Sequence, residues 1–195
     1  MKNKCGWLLL ILILLNACSS APAKIEYYAL HFDQLNPPQK SADQTHELVI
    51  VEPVILAGFL RQQGLVVQTS DNQLHMSSQH RWAEQLDQAL SRTIVGHLEN
   101  NLPNYRFENQ NGRWSEQPQY RINLSFSHFH TNANNEAVVA GDFWILTNDN
   151  TLVRKERFYL AQPLARDGYS HAVDVLNRLL AKFVEEMAAK VPANS

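Results

Sequence analysis

The sequence predicts an α+β domain with two layers, in which two amphipathic helices pack on one face of a mainly antiparallel sheet. Three observations support this fold class. Apolar and polar residues alternate from Tyr120 to Ser127, which is typical of a strand with one buried face. Two further apolar runs are joined by an Asn-Asp-Asn turn. Two other segments place apolar residues three and four positions apart, as amphipathic helices do.

The first half of the chain contains four predicted strands. Residues 25–30 and 48–54 are rich in apolar, aromatic and β-branched side chains, and Pro53 marks an end, an edge or a bulge of the second strand. Residues 64–69 and 73–76 flank a polar turn and are predicted to form a hairpin.

Two helices are predicted, one on each side of the central strands. The first begins near Trp82 and ends before Pro103, which cannot continue a helix. The second follows Asp167-Gly168, with Ser170 as the candidate N-cap. The apolar stripes consist of Leu86, Ala89, Leu90, Ile94 and Leu98 in the first helix, and of Ala172, Leu176, Leu179, Leu180, Phe183 and Met187 in the second.

The long strands lie between the two helices. Residues 105–107 form a short strand, and residues 120–127, 137–146 and 152–160 form an antiparallel meander with a turn at 148–150. The three long strands therefore supply most of the predicted sheet.

The N-terminus has the features of a secretion signal. Lys2 and Lys4 precede an unbroken apolar run over residues 7–15, which is shorter than the roughly 20 residues that cross a bilayer. The following Leu15-Asn16-Ala17-Cys18 resembles a bacterial lipobox. This resemblance implies cleavage before Cys18, which would carry a covalent lipid anchor. The alternative is an ordinary signal peptide cut nearby, with Cys18 as a free thiol.

These features divide the chain into a removed signal peptide at 1–17, a lipidated tether at 18–24 and a single periplasmic domain at 25–195. Ser19, where Asp would favour inner-membrane retention, favours the outer membrane. Six tether residues reach at most about 20 Å, so the domain is expected to stay close to the membrane. Loss of Lys2 and Lys4 changes the formal net charge from −2 to −4, which argues against nucleic acid as a partner.

The sequence contains no common catalytic motif. It has no Gly-rich phosphate loop, no G-x-S-x-G turn and no H-E-x-x-H. His128 and His130 are weak candidates for metal ligands, because they share one face of a strand without a third ligand in view. They more simply continue the apolar face of Tyr120 to Phe126 towards solvent. We therefore expect a protein that is not an enzyme and needs no cofactor beyond the lipid on Cys18.

An apolar segment over residues 54–60 is the candidate contact surface. It follows Pro53 and has neither helical nor alternating spacing, so Leu56, Phe59 and Leu60 are candidate contacts for a partner protein or lipid. The alternative is a bulged core strand with a tight bend at Gly58.

Several strings, taken in order, resemble the PqiC-type lipoproteins, which are auxiliary lipoprotein components of ABC-type transport and serve MCE-domain lipid transport systems. No single string is diagnostic, but their order and spacing match from end to end. The strings are Tyr27-Tyr28-Ala29-Leu30, Val51-Glu52-Pro53-Val54, Phe59-Leu60, the run from Gly64 to Asp71, Trp82-Ala83, the run from Leu86 to Leu90, Gly141 with Trp144, and Asp167-Gly168-Tyr169.

One string departs from the pattern of the family. Relatives tend to carry Pro-Asp-Tyr-Leu where this chain has Ala57-Gly58-Phe59-Leu60, so any role of that acid does not transfer. The resemblance implies a non-enzymatic lipoprotein at the periplasmic face of the outer membrane. Such a protein docks the periplasm-spanning tunnel of an MCE-domain protein and supports envelope integrity.

The symmetry of such a tunnel suggests a homo-oligomeric ring, because a cyclic partner calls for repeated copies of one interface. Two other functions stay open. The chain could be a periplasmic lipid- or glycan-acting enzyme, which would be favoured if two or more of five side chains met in a cleft. These side chains are His75, His128, His130, Asp142 and Asp167. It could also be a lipoprotein that assists assembly of an outer-membrane barrel.

Overall fold

The computed structural model describes residues 23–31, 46–109 and 116–192. The predicted signal peptide, Cys18 and most of the predicted tether lie outside the described residues. The strands are β1 (Glu26–Tyr28), β2 (Glu47–Val51), β3 (Ile55–Leu56), β4 (Gly64–Ser70), β5 (Gln73–Trp82), β6 (Tyr105–Asn109), β7 (Tyr120–Thr131), β8 (Glu136–Thr147) and β9 (Leu152–Pro163). The helices are α1 (Leu86–Asn101) and α2 (Tyr169–Ala188), and a 3₁₀ turn spans Gly58–Leu60.

Strand β7 is the centre of the sheet. One of its edges pairs with β8 in antiparallel fashion, and β8 pairs in the same way with β9. The other edge of β7 pairs in turn with β2, β3 and β4, and all three run parallel to it. Beyond them, β6 lies parallel to β2, β5 lies antiparallel to β4, and β1 lies parallel to β5. One strand therefore connects both halves of the sheet.

The α+β class agrees with the structure, but the prediction of a mainly antiparallel sheet is wrong. Within the described ranges, five of the eight strand pairs are parallel. The three antiparallel pairs are hairpins between consecutive strands, which local turn residues encode. The parallel pairs join strands far apart in the chain, and a pattern of alternating residues carries no information about strand direction.

The helices and one face of the sheet enclose a single hydrophobic core. The two helices pack against each other, α2 packs on β7, β8 and β9, and α1 packs on β6. Phe126, Phe158 and Phe183 meet at its centre, where the rings of Phe158 and Phe183 stack with centroids 3.8 Å apart. No helix in the described part of the chain is both long and apolar enough to span a membrane.

Both predicted helix starts differ from the structure. Trp82 ends β5, and α1 begins four residues later at Leu86. β5 continues through polar residues beyond Met76, because its far end is held between β4 and β1. Helix α2 begins at Tyr169, directly after Gly168, and Ser170 lies inside the helix instead of capping it. Gly168 has φ +108°, a conformation that favours glycine.

Gly141 marks the closest approach between β8 and its neighbours. A Cβ atom at this position would lie 1.9 Å from the carbonyl oxygen of Ser125 and 2.9 Å from the ring of Phe158. The backbone of β7 cannot withdraw without breaking its pairing, so glycine is required here for space.

We predict that Gly141→Ala lowers the free energy of unfolding by about 2 kcal/mol, as overpacking of a well-packed core does. Gly58→Ala is the matched control, because no atom lies within 4 Å of a Cβ at Gly58. Urea denaturation of both variants tests the difference. Equal stability of the two variants would contradict the close approach at Gly141.

Candidate functional site

An aromatic cluster connects β1, the first strand of the sheet, to β5 and to the start of α2. The Tyr28 hydroxyl donates a hydrogen bond to Glu26 Oε2 at 2.9 Å and lies 2.9 Å from His80 Nδ1. His80 stacks on Tyr169 at the start of α2, with ring centroids 3.9 Å apart. Burial, together with the Glu26 carboxylate, raises the pKa of Tyr28 to about 12. The sequence analysis missed this cluster, because three separate elements bring the rings together.

The segment over residues 54–60 differs from the predicted contact surface. Leu56 and Leu60 are 5% and 2% exposed, so both are core residues in this chain. Phe59 is half-buried, and Ile55, which precedes Leu56, is 55% exposed. β3 pairs with β7, so Leu56 points into the core and Ile55 points away from it. Of the three candidates, only Phe59 keeps an accessible side chain.

The bend at Gly58 is a 3₁₀ turn. The Leu60 amide donates to the Ala57 carbonyl at 2.9 Å, and the Ala57 amide donates to the Phe126 carbonyl at 2.9 Å. These bonds hold the segment on β7 and direct Leu60 into the core.

The two histidines of β7 do not continue the apolar face of that strand. An irregularity between Phe126 and His128 shifts the register against β8, so Phe129 takes the core position and the histidines turn to the opposite face. Their ring centroids lie 5.2 Å apart, and the His130 ring meets the edge of Phe59 at 5.8 Å. The prediction that they share one face of the strand is correct, and the prediction that this face is the apolar one is wrong.

His130 is a buried histidine held in its neutral form. Its Nδ1 lies 2.9 Å from the Thr131 carbonyl oxygen, so this nitrogen carries the proton and donates the hydrogen bond. Burial lowers the pKa of His130, and the nearby His128 lowers it further against the opposing effect of that hydrogen bond.

These side chains belong to a larger surface on the sheet face that carries no helix. We define the outer patch as Ile55, Phe59, His128 and Tyr159, with the buried ring of His130 in contact with Phe59 and His128. Tyr159 is 65% exposed and lies opposite Ala140, which in turn lies opposite His128.

Charged pairs border the outer patch. Arg121 donates to Glu52 at 2.8 Å. Arg157 donates to Asp142 at 3.2 Å, in the same cross-strand row as Ile55. An apolar centre with a polar border is the usual composition of a protein interface.

The remaining candidates for acid–base chemistry occupy three different parts of the fold. His75 is exposed on the β4–β5 hairpin, Asp142 is paired with Arg157, and Asp167 lies beside the start of α2. Within the described ranges, no group of three or more His, Cys, Asp or Glu side chains is placed to hold a metal ion. The structure brings His128 and His130 together, and His130 and Asp167 both line one cavity beside the start of α2, whereas His75 and Asp142 lie outside that cavity. Two of the five side chains therefore share a cavity, with Asp167 exposed and His130 buried.

Comparison with known proteins identifies the family. A family model described as "ABC-type transport auxiliary lipoprotein component" matches residues 28–188, which cover β1 to α2 almost completely. The chain belongs to this family. It is 30% identical over 186 residues to "Intermembrane transport lipoprotein PqiC" of Escherichia coli strain K12, with coverage of 95% of this chain and 96% of the relative. The PqiC of Shigella flexneri matches with the same identity and coverage.

Solved structures share the fold of this auxiliary lipoprotein. An uncharacterized protein of known crystal structure superposes with a TM-score of 0.73 at 25% identity, covering 87% of this chain and 99% of that protein. A protein from Xanthomonas campestris superposes with a TM-score of 0.69 at 14% identity, covering 84% of this chain and 92% of the other. The mixed sheet with two helices is therefore a fold already seen by crystallography.

We predict that the protein loses stability as the pH falls below the ordinary histidine pKa of about 6.5. In the folded state the pKa of His130 is lowered, so the unfolded chain binds the proton more readily in this range. His97 acts in the same direction, because burial also lowers its pKa. Urea midpoints measured at about pH 7.5 and 5.5 test the effect.

His130→Gln is the decisive variant for this prediction, since glutamine retains a donor and does not titrate. Its stability should fall less with pH than that of the wild type, while His75→Gln on the exposed hairpin should behave like the wild type. An unchanged pH dependence in His130→Gln would contradict the assignment.

Proposed function

We propose that this chain is an outer-membrane-anchored auxiliary subunit of an intermembrane lipid transport system, and that it docks a periplasm-spanning MCE-domain protein. The match to PqiC over 95% of this chain and 96% of the relative carries the proposal. A match over 186 residues is longer than the predicted domain at 25–195, so it includes part of the segment that precedes this domain. The name of the relative gives intermembrane transport as its role, and we extend that role to this chain.

The anchor in this proposal is the lipid on Cys18. β1 begins at Glu26, eight residues after Cys18, so the folded domain would lie within about 30 Å of the membrane surface. Ser19 after the anchor favours the outer membrane, with the domain in the periplasm. The domain would then meet a partner that crosses the periplasm.

The outer patch is the surface that we assign to docking. It lies on the sheet face opposite the helices, and its exposed residues Ile55 and Tyr159 have no role in the core. Charged pairs at its border would orient a partner without adding much affinity. The outer patch takes the docking role that the sequence analysis gave to Leu56 and Leu60, because these two side chains are buried in the core.

A homo-oligomeric ring is part of the same proposal. β9 is an edge strand of twelve residues, and among the described residues it pairs only with β8. Arg154, Lys155 and Arg157 along this edge discourage pairing of β9 with β9 of another copy, because like charges would meet. They leave β9 able to pair with a different edge of the next copy. A ring built in this way would present repeated outer patches to a symmetric tunnel.

We predict that the docking role can be detected by crosslinking intact envelopes, capturing the lipoprotein and identifying the recovered chains by mass spectrometry. Recovery of an MCE-domain protein supports the proposal. Ile55→Asp should reduce that recovery several-fold, because it places a carboxylate in the apolar centre of the patch. Ile25→Asp is the matched control, since Ile25 is an exposed isoleucine next to β1, outside both the outer patch and β9.

Melting temperatures of both variants must match the wild type for this comparison to count, as expected for exposed positions. Equal recovery with Ile55→Asp and Ile25→Asp would contradict docking through the outer patch. Recovery of an outer-membrane barrel in place of an MCE-domain protein would favour the assembly role instead.

We also predict that Cys18→Ala leaves the protein either as an unprocessed precursor at the inner membrane or as a released domain. Alanine has no thiol, so position 18 of the variant cannot receive the lipid that holds the chain in a membrane leaflet. Membrane fractionation with an antibody to the domain measures the outcome. If the variant still fractionates with the outer membrane, the anchor is not Cys18.

A further inference from the structure

A partly open cavity of about 200 Å³ lies between the start of α2 and the sheet. It reaches the ends of β5 and β7 and the first residues of β4. Its wall is mostly apolar and aromatic. The main lining side chains are Leu65, Trp82, Phe129, Leu164, Tyr169 and Leu176.

The rim of the cavity is polar and held in place. Asn135 and Asp167 lie there, and the Leu164 amide donates to the Asn135 carbonyl oxygen at 2.9 Å. Tyr169 is fixed by its stack on His80. The only acidic side chain in the lining is Asp167, which is exposed at the rim. The buried His130 also lines the cavity, and its pKa is lowered by burial, which favours the uncharged form. The depth of the cavity therefore favours a hydrocarbon and disfavours an ionised group.

The size of the cavity limits the ligand. It is somewhat larger than a cavity of about 150 Å³ that holds one benzene molecule. It is smaller than the 300–1,000 Å³ typical of sites that enclose a whole drug-sized ligand. One segment of a single hydrocarbon chain fits, and an entire lipid does not.

The cavity lies beside the lipid-bearing end of the chain. Tyr28 of β1 is in register with Trp82, and Trp82 forms part of the cavity wall. Ten residues separate Cys18 from Tyr28, so an anchored chain holds Tyr28 within about 35 Å of the membrane surface. Membrane lipid is therefore the apolar material nearest to this cavity.

Three of the strings that carry the family resemblance also meet at the cavity. They are the run beginning at Gly64, the Trp82-Ala83 pair and Asp167-Gly168-Tyr169, which lie far apart in the sequence and contribute to one wall. Gly168, with φ +108°, directs the chain into α2 at the rim.

We propose that this cavity binds part of one acyl chain of a membrane phospholipid, while the headgroup stays outside the rim. The choice of a phospholipid rests on the proposed function, which gives lipid as the transported material and the membrane as the anchoring surface. The ligand is separate from the covalent lipid on Cys18. The domain would thus hold a lipid by one chain near the bilayer from which that lipid comes.

A photoreactive residue at the rim tests this proposal in the intact lipoprotein. Leu164→benzoylphenylalanine places the probe at a half-buried lining position, and Leu152→benzoylphenylalanine places it on exposed β9 as the control. Cells labelled with [³²P]phosphate carry the label in phospholipid headgroups. The thioether-linked anchor contains no phosphate, so its own lipid gives no signal. After irradiation, the Leu164 probe should capture several-fold more ³²P than the Leu152 probe.

Filling the cavity should abolish that excess. Ala172 lines the cavity, so Ala172→Trp combined with the Leu164 probe should reduce ³²P capture to the level of the Leu152 control. Ala189→Trp adds the same bulk at the exposed end of α2, roughly 25 Å away along the helix, and should leave capture unchanged. If Ala172→Trp lowers the melting temperature, Ala172→Leu replaces it.

Each outcome bears on the proposal. Equal ³²P capture at both probe positions, or capture that survives filling of the cavity, would overturn it. A protein adduct at Leu164 without phospholipid would assign the cavity to a partner side chain and also overturn it. Phospholipid capture without recovery of an MCE-domain protein would retain the acyl-chain site and contradict the docking function. Recovery of the MCE-domain protein without phospholipid capture would support the docking function and overturn the acyl-chain site.

Discussion

The fold depends on the shared use of β7. Four strands pair directly with it, β8 along one edge and β2, β3 and β4 in succession along the other. The second edge is continuous only because the 3₁₀ turn at Gly58–Leu60 connects the chain after β3 and keeps Leu60 in the core. Displacement of β7 would therefore uncouple both halves of the sheet and expose the aromatic cluster around Phe126.

The sequence predicted the features that local patterns encode. The three hairpins, the long meander strands and the apolar stripes of both helices agree with the structure, because turns and side-chain periodicity belong to neighbouring residues. The parallel pairing of β2, β3 and β4 with β7 was not predicted, since it joins segments that lie far apart in the chain. The sequence also did not predict that β5 continues beyond Met76, because this polar half is held in the sheet by β1, which lies far away in the chain.

The candidate site was predicted less well than the fold, and single residues explain why. Leu56 and Leu60 belong to an apolar segment without alternation, and from sequence such a segment fits a buried strand as well as an exposed patch. Ile55 lies in the predicted contact segment but was not singled out, because only the pairing of β3 with β7 decides which of two neighbouring residues is exposed. His128 and His130 were assigned to the apolar face of β7, which is wrong. A one-residue irregularity before them reverses the alternation, and the residue types in this stretch do not reveal it.

The same irregularity separates two surfaces that serve different parts of the proposed function. Phe129 faces the core and lines the cavity, and His128 belongs to the outer patch. The buried His130 lines the cavity and also contacts His128 and Phe59 of the outer patch. A lipid chain in the cavity and a partner on the patch would contact adjacent residues of one strand from opposite sides. Because Ile55 lies on the patch and Ala172 lines the cavity, substitutions at these two positions alter one surface each. If each change alters only its own readout, partner recovery for Ile55 and phospholipid capture for Ala172, the two surfaces are independent. If either change alters both readouts, the surfaces are coupled, which would require β7 to move between two arrangements.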